Sequence, residues 1–543
     1  MNKYHVVTQN HYSYRSNGYR CFLLWMAASC LLSCMTTPSR ESDRNAEQPS
    51  FRAATDVDTR YDIPKTADNG WSIGKPLVLS TADSILMALE NNQELRVQRI
   101  SPQIRQRSED LEKSAFDPIL SSRWTGSRTV SPGGNKKSVN NSLSGDLSLQ
   151  TLLPTGTSIG VGVESGISDP SFDSDASTRL GVDINQSLLR GMGTGVNLAS
   201  LRQARLDTIT SEFELWGYAE SLIATVEKTY WNYYLAHRNL EIVQQSLEVA
   251  EKQLEETSAR IKLGKTAEIE LAAAKAEVSL RRESLINARS TLETTRLELL
   301  RLLNPSPDEY WSTPIKILDR PPDKEQSIEE VERHVEYAMR MRPDLNQARL
   351  SVERGDLEIV KTRNGLLPKL DFFINLGGTG YAGSFENTFG KLDSDFYDVR
   401  TGLTFEYPLG NRAAEARHRL AVLSREQTDL SLTHLAQTIQ VDVRSAYIEV
   451  NRTKEQIEAT RSTRLLQEEN YRSESEKFRV GKSTSLLVAA SQRDLLSSRI
   501  EEVKAIVNHQ IALIDLYRLE GSLLIRRGIT ANFVESDGRD EFE

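Results

Sequence analysis

The chain has 543 residues, 26% of them charged, with a formal net charge of −9 and a mean hydropathy of −0.46. Beyond the N-terminus no apolar run approaches the roughly 20 residues a membrane-crossing helix needs, which excludes a multi-span helical membrane protein but not a β-barrel, whose alternating strands leave little hydropathy signal. The acidic balance, with no basic stripe to neutralise phosphates, argues against nucleic acid as a partner.

The first segment has the pattern of an export signal. Residues 1–20 carry Lys3, Arg15 and Arg20, and no acid precedes Glu41. The apolar stretch Cys21–Leu32 has the length of a signal core and is too short to anchor stably, so residues 1–33 are expected to be removed. Leu31-Leu32-Ser33-Cys34 resembles the bacterial lipobox. That resemblance implies acylation of Cys34 with palmitate-type chains, and Met35 in place of aspartate implies sorting to the outer membrane. The plainer alternative is an ordinary signal peptide with an incidental cysteine. Two or more acyl chains hold a protein firmly to lipid, whereas one does not. Cys21, Cys30 and Cys34 are the three cysteines of the chain, so the body contains neither a disulfide nor a cysteine zinc site. Residues 34–78 are polar and are expected to be a lipid-anchored tether.

A first unit is expected over 79–305. A helical pattern over 81–116 stops at Pro118, because proline disfavours helix just before itself. Alternating Gly-rich segments follow at 119–130, 143–153, 157–164 and 179–189 and have the period of strands, with "LPTGT" as a tight turn. Val196–Leu263 contains no proline and one glycine, and Lys265–Asn304 contains neither. A helix of some 65 residues is on the order of 100 Å long and must pack lengthwise on others, as coiled coils do. Gly264 is expected to turn one such helix back on the next, since glycine takes the left-handed conformation cheaply. A Pro-rich connector, 306–326, leads to a second unit over 327–525. There a helix (327–366) ends at Pro368, strands fall at about 369–408, and Asn411–Glu520 holds one glycine, Gly481, and no proline. Residues 526–543 are expected to be a polar tail.

The two units repeat one another. "ALENNQEL" (88–95) lies over "AMRMRPDL" (338–345), and Pro118 over Pro368, at an offset of 250. Tyr230 over Tyr447, Gly264 over Gly481, Ala272-Ala273 over Ala489-Ala490 and Ala288 over Ala505 keep an offset of 217. The difference of 33 residues is an insertion among the first unit's strands. The fold class is thus mixed α+β: a tandem repeat dominated by long helical hairpins, with strands at the opposite end from the glycine turns. Open strand edges in a membrane are tolerated only when a barrel closes them, and one chain offers too few strands for a wide pore, so copies are expected to pool them.

In "RPDL" (342–345), "LLPKLDF" (366–372), "EYPLGNRAAEA" (406–416), "FRVGKSTSLLVAA" (478–490) and "ARSTLETTRLELLRLLN" (288–304), the chain resembles the TolC-like outer-membrane efflux proteins. The resemblance runs from about Leu79 to Leu524. It implies a homotrimer with one shared transmembrane β-barrel and an α-barrel tunnel in the periplasm, the exit duct of a tripartite efflux or type I secretion system. It implies tips at Gly264, Lys265, Gly481 and Lys482 that dock a periplasmic adaptor, which recruits an inner-membrane pump. It implies no enzyme activity and no cofactor. Two features depart from the family pattern. If all four first-unit strands join the barrel, a protomer gives six strands rather than four; the alternative is an extra hairpin outside the wall. The family's tunnel often narrows at acids just past the second glycine, but "KSTSLLVAASQ" has none until Asp494. Glu268 and Glu270, in the first unit, are the candidate gate; the plainer role for them is favourable placement at a helix start.

Other motifs carry less. "LLRGMGTGVNL" (188–198) lacks the Lys-Ser/Thr of a phosphate loop and suits a strand-to-helix hinge. "TYWNYYLAH" (229–237) suits interhelical packing. The seven histidines and scattered carboxylates form no metal or acid/base pattern. A lipid-anchored coiled-coil protein that spaces the envelope is the rival reading. It explains the anchor and the rods but not the duplicated strands.

Overall fold

The computed structural model describes residues 51–53, 76–133, 136–168, 175–264, 268–305, 311–322, 328–392 and 396–531. The expected signal (1–33), Cys34, most of the tether and tail, part of the connector, and Lys265 lie outside the described residues. The first elements are β1 (Phe51–Ala53), β2 (Leu77–Leu79), α1 (Thr81–Asn91), α2 (Gln93–Gln98) and α3 (Ile100–Lys113). Four strands follow, β3 (Ile119–Gly133), β4 (Lys136–Leu152), β5 (Thr157–Ser168) and β6 (Asp175–Ser187), and then α4 (Thr194–Asn197), α5 (Ala199–Lys262) and α6 (Ile269–Leu303). After β7 (Ile315–Ile317) come α7 (Val331–Met341), α8 (Pro343–Asn364), β8 (Lys369–Ala382), α9 (Phe385–Gly390), β9 (Tyr397–Glu406), α10 (Arg412–Arg479), α11 (Ser485–Leu519), α12 (Leu523–Arg526) and β10 (Ile529–Ala531). The order of short helices, strands and long helical hairpin occurs twice.

The expected single helices 81–116 and 327–366 are each broken. A capping box starts α1: the Ser80 hydroxyl accepts from the Asp83 amide at 3.0 Å, and the Asp83 carboxylate accepts from the Ser80 amide at 3.1 Å. Asn92 then ends α1 and caps α2 by accepting from the Leu95 amide at 3.0 Å. In the second unit Pro343 occupies the first turn of α8, where its missing N–H costs nothing, and this restarts the helix after Arg342.

Three expectations about irregular segments are corrected. Within the tether, β1 pairs antiparallel with β10, which lies inside the supposed polar tail. Within the connector, β7 pairs in parallel with β2. Strands of three residues are too short to show a period-two pattern; burial of Leu77, Leu79 and Ile315 secures the second pair.

One sheet of order β3-β4-β5-β6-β8-β9, antiparallel throughout, takes in all four first-unit strands. In a single chain it is open, with β3 and β9 as its edges. The strands outrun the expected segments because their Ser-, Asn- and Gly-rich ends carry little propensity and pair only in the sheet's context. Strands begin and end beside the helices at Ile119, Leu152, Thr157, Ser187, Lys369 and Glu406. The glycines of "LLRGMGTGVNL" lock this junction. Gly191 and Gly193 hold φ of 85° and 95°, and the Gly193 amide donates to Thr155 O at 3.1 Å. Asn197 donates to Pro154 O at 3.0 Å and to Gly191 O at 2.8 Å. A Cβ on Gly156 would stand 2.2 Å from Gly191 O, so glycine is required at that approach. The hinge reading therefore accounts for the motif.

Helix α5 has 64 residues and α10 has 68, each about 100 Å long at 1.5 Å per residue. Each folds back through a glycine turn onto a 35-residue partner, α6 and α11 respectively. The main core gathers Leu79, Leu89, Leu95, Ile223, Tyr230, Leu299, Leu303 and Leu523. Tyr230 belongs to the "TYWNYYLAH" run; its hydroxyl donates to Leu79 O at 3.2 Å and accepts from the Asp319 amide at 3.2 Å.

The end of the chain is clipped onto α5. Gly521, at φ 74°, ends α11 in a left-handed turn with Ser522 N–H to Tyr517 O at 3.0 Å. The Leu523 amide donates to Glu220 at 3.0 Å, and Arg527 forks onto buried Glu227 at 2.6 and 2.7 Å. Glu520 is fully buried and contacts His334 Nδ1 and, at 2.9 Å, Arg526. Burial pushes Glu220 up to about 8, and the Leu523 amide opposes this only in part.

Candidate functional site

The sheet has two faces of different polarity, set by side-chain parity. Because successive strand residues face opposite sides, the pairing register sorts every position. One face carries the row Leu120, Leu149, Val161, Val182, Leu376 and Val399, an apolar side chain on each of six strands. Leu120, Trp124, Leu143, Leu147, Leu376, Val399, Leu403 and Phe405 on this face are all exposed. The other face carries the row Arg123, Asp146, Glu164, Arg179 and Thr379. Arg179 lies across Gly377, where a Cβ would meet its guanidinium at 2.6 Å, and it donates to Asp398 at 2.8 Å. Gly162, Gly181 and Gly377 stand side by side on this polar face, where the absence of side chains lets the sheet curl. An exposed apolar face this continuous is what a transmembrane barrel turns towards lipid.

At its far end the apolar face is met by α9. Thr388 is buried and shares a hydroxyl hydrogen bond of 2.6 Å with Thr178, while Phe385 and Phe389 stack edge to face at 5.4 Å and stay exposed.

The opposite extremity is formed by the two glycine turns. Gly264 and Gly481 have φ of 68° and 74°, with open space around each Cβ position. At the second turn the Gly481 amide donates to Phe478 O at 3.0 Å and the Lys482 amide to Lys477 O at 2.8 Å, the paired bonds that close a helix end. The return helix α11 is capped by Thr484, which accepts from the Leu487 amide at 3.4 Å. In the first unit α6 starts at Glu268 without a side-chain cap. Arg260 donates to Phe478 O at 3.4 Å and sits 4.9 Å from that ring's centre, so the last turns of α5 and α10 lie together. Lys477 and Ser483 donate to Glu474 at 2.6 and 2.8 Å and hold its carboxyl below the usual range.

Five apolar residues at these turns were not singled out by the sequence reading. Leu263, Ile269, Val480, Leu486 and Leu487 are exposed by 53–78%. Leu263 and Val480 each precede the glycine, and Ile269 and Leu486 each follow it by five residues. The repeat of apolar flanks around both glycines was the available signal. Of the candidate gate, Glu268 is exposed, whereas Glu270 is half-buried with Oε2 unpaired among the described residues. Their second-unit counterparts, Ser485 and Leu487, are uncharged.

Along α10 runs an apolar seam, Leu423, Leu430, Val441 and Ile448, exposed by 45–67%. No cluster of residues suited to a metal ion occurs among the described residues, and no described helix is long and apolar enough to cross a membrane.

Known proteins share this fold. The family model described as "Outer membrane efflux protein" matches residues 85–305 and 335–522. The pyoverdine export outer membrane protein OpmQ of Pseudomonas putida is 23% identical over 361 residues, covering 65% of this chain and 70% of that protein. Among solved structures, CusC, described as forming a transmembrane channel, aligns with a TM-score of 0.63 and 15% identity over 87% of this chain and 99% of its own. The Campylobacter jejuni CmeC outer membrane channel aligns with a TM-score of 0.61 and 15% identity, covering 86% of this chain and 94% of CmeC.

Proposed function

The chain belongs to the outer membrane efflux protein family, and on that basis we propose that it is the exit duct of a tripartite efflux or type I secretion system, a passive channel built from three copies. The observation that carries this reading is the sheet that is apolar on one face and polar on the other, set at one end of rods about 100 Å long. The apolar face meets outer-membrane lipid, the polar face lines water, and the helices extend the conduit through the periplasm. The seam on α10 gives each copy an apolar stripe for its neighbour. The duct performs no reaction and supplies no energy; it continues the path of an inner-membrane pump.

The two turns form the docking end for a periplasmic adaptor. Gly264, Lys265, Gly481 and Lys482 provide tight turns and charge, and Leu263, Ile269, Val480 and Leu486 provide apolar knobs that an adaptor's own helical tips can cover. Glu268 and Glu270 would bring three copies of each carboxylate together at the narrow end, favouring cations. Cys34 would carry the acyl chains that hold the assembly to the outer membrane, with the polar tether leading to the body.

Reconstitution of the purified full chain in planar bilayers tests the reading. Stable conductance from a trimeric species is expected, and a water-soluble monomer without conductance would refute it. Glu268→Gln with Glu270→Gln is expected to reduce cation preference, and unchanged selectivity would remove the gate assignment. Cys34→Ala is expected to abolish labelling by a palmitate analogue in cells.

A further inference from the structure

We propose that the β3–β4 hairpin is part of the channel wall, so that three copies close a barrel from six strands each, eighteen in all, with β3 of one copy paired to β9 of the next. The proposal rests on the trimeric duct put forward above and concerns which strands build its wall.

The hairpin is laddered into the sheet rather than laid beside it. β3 pairs with β4 from Ile119↔Gln150 to Gly133↔Lys136, and β4 pairs with β5 from Ser142↔Ser168 to Leu152↔Ser158. It also obeys the same division of faces. Leu120, Trp124 and Val130 of β3 and Val139, Leu143, Leu147 and Leu149 of β4 continue the apolar face, interrupted on β3 by Arg128 towards the hairpin end, while Ser121, Arg123, Thr125, Ser144 and Asp146 continue the polar one. A hairpin outside the wall would have no reason to keep one face apolar in register with β5.

The apolar band also has the slope of a membrane barrel. On β9 it runs from Tyr397 to Phe405, centred on Thr401. The ladder carries Thr401 through Ile374, Ile184 and Ile159 to Thr151, beside the start of β3. On β3 the band runs instead from Leu120 to Val130, further from the helices. It thus climbs about seven residues, roughly 24 Å at 3.4 Å each, over five strand spacings of about 4.8 Å, which also total roughly 24 Å. That slope of about 45° lies at the top of the 35–45° range of transmembrane strands, and Leu120 to Val130 at that slope rises about 24 Å, close to the height of an outer-membrane apolar band. The same slope runs from β9 through β5 and on to β3, so β3 and β4 continue the band rather than depart from it.

The edges fit each other. β3 is exposed over its described length, 119–132, and β9 over most of its own. Even-numbered residues of β3 and odd-numbered residues of β9 face lipid, so an antiparallel joint continues both faces and leaves no free edge. The consequence is a wider mouth. At about 45° tilt, eighteen strands give a backbone radius of about 20 Å, against about 13 Å for twelve. The outer end then passes bulky solutes that a twelve-strand mouth excludes, and any narrowing is left to the periplasmic tips.

Electron microscopy of the full chain extracted in detergent tests this directly. Eighteen strands, with β3 at the subunit joint, are expected; twelve strands with the hairpin against the outside would overturn the proposal while leaving the duct intact. A particle without a barrel would overturn the duct itself. Neutral polymers of about 12 Å radius, added from the barrel side in bilayers, are expected to enter the mouth and lower conductance; their exclusion would count against the wide barrel. Because β3 begins and β4 ends at the same edge, excision of residues 119–152 rejoins the chain there and is expected to shrink the barrel to twelve strands. If the excised chain fails to assemble, the image of the intact protein still decides.

Discussion

Two helices of nearly equal length, α5 and α10, occupy matching places in the two halves of the chain yet live in different surroundings. Along α5, Leu215, Ala219, Ile223, Val226, Tyr230, Trp231 and Val243 are all buried, as are the charged Glu220 and Glu227. Along α10, burial is confined to Ala421, Ile439, Val443, Val450, Thr453 and Phe478, while Leu420, Leu430, Val441, Ile448 and Leu466 stand more than 60% exposed. The first helix is surrounded within its own chain by α1, α3, α6, α8 and α11. The second carries apolar side chains with nothing over them. A rod of this length cannot keep such a stripe in water without cost, so in the proposed trimer α5 is the interior strut of one copy and α10 the surface offered to the next.

The sharpest way to break that contrast is to charge the stripe. Leu430→Glu with Ile448→Glu is expected to abolish the trimer while leaving the chain helical, as measured by light scattering and circular dichroism in detergent. Survival of the trimer would show that α10 faces water. Truncation separates the two helices next. Ile223→Ala on α5 is expected to cost about 2–5 kcal/mol in the stability of the single chain, and Leu430→Ala on α10 within about 0.5 kcal/mol, both read by denaturant unfolding under conditions that keep the chain monomeric.

A smaller effect follows from Glu220, whose carboxyl is raised from 4.5 to about 8 chiefly by burial. The folded chain keeps this proton between those values and the unfolded chain does not. The contribution is therefore fully present below about pH 4.5 and is lost as pH rises through about 8. Glu220→Gln is expected to flatten the fall in Tm between pH 6 and 9, with the Leu523 amide still accepted by the amide oxygen; an unchanged pH profile would place the dependence elsewhere. The smallest effect is expected at the tips, where Gly481→Ala should cost about 1 kcal/mol because of its left-handed backbone. Open space around the site means no clash is added, so loss of adaptor binding beyond that would report docking itself.

Much of this was legible in the chain. Pro118 and Pro368 stop helices, the period of two marks the sheet, and Gly264 and Gly481 punctuate runs otherwise free of breakers. These are local rules, acting over a few residues, and a repeated spacing doubles the signal. What escaped had partners far away. β1 with β10 and β2 with β7 are three-residue strands that exist only because distant segments meet. Glu220 and Glu227 look like solvated helix residues until Leu523 and Arg527, some 300 positions later, fold onto them. The exposed tip residues Leu263 and Val480 resemble ordinary core positions, since a helical period cannot tell a covered side chain from one at a free end.

The residues alone thus settled the order of elements, the duplication and the turns, because propensity and periodicity act on near neighbours. They left open whether β3 and β4 stand in the wall or outside it, since alternation says that a strand has two faces but not which strand it pairs with. Only the tertiary structure decided which strand that is: backbone hydrogen bonds pair β4 with both β3 and β5, in a register that puts most of the sheet's aliphatic side chains on one face.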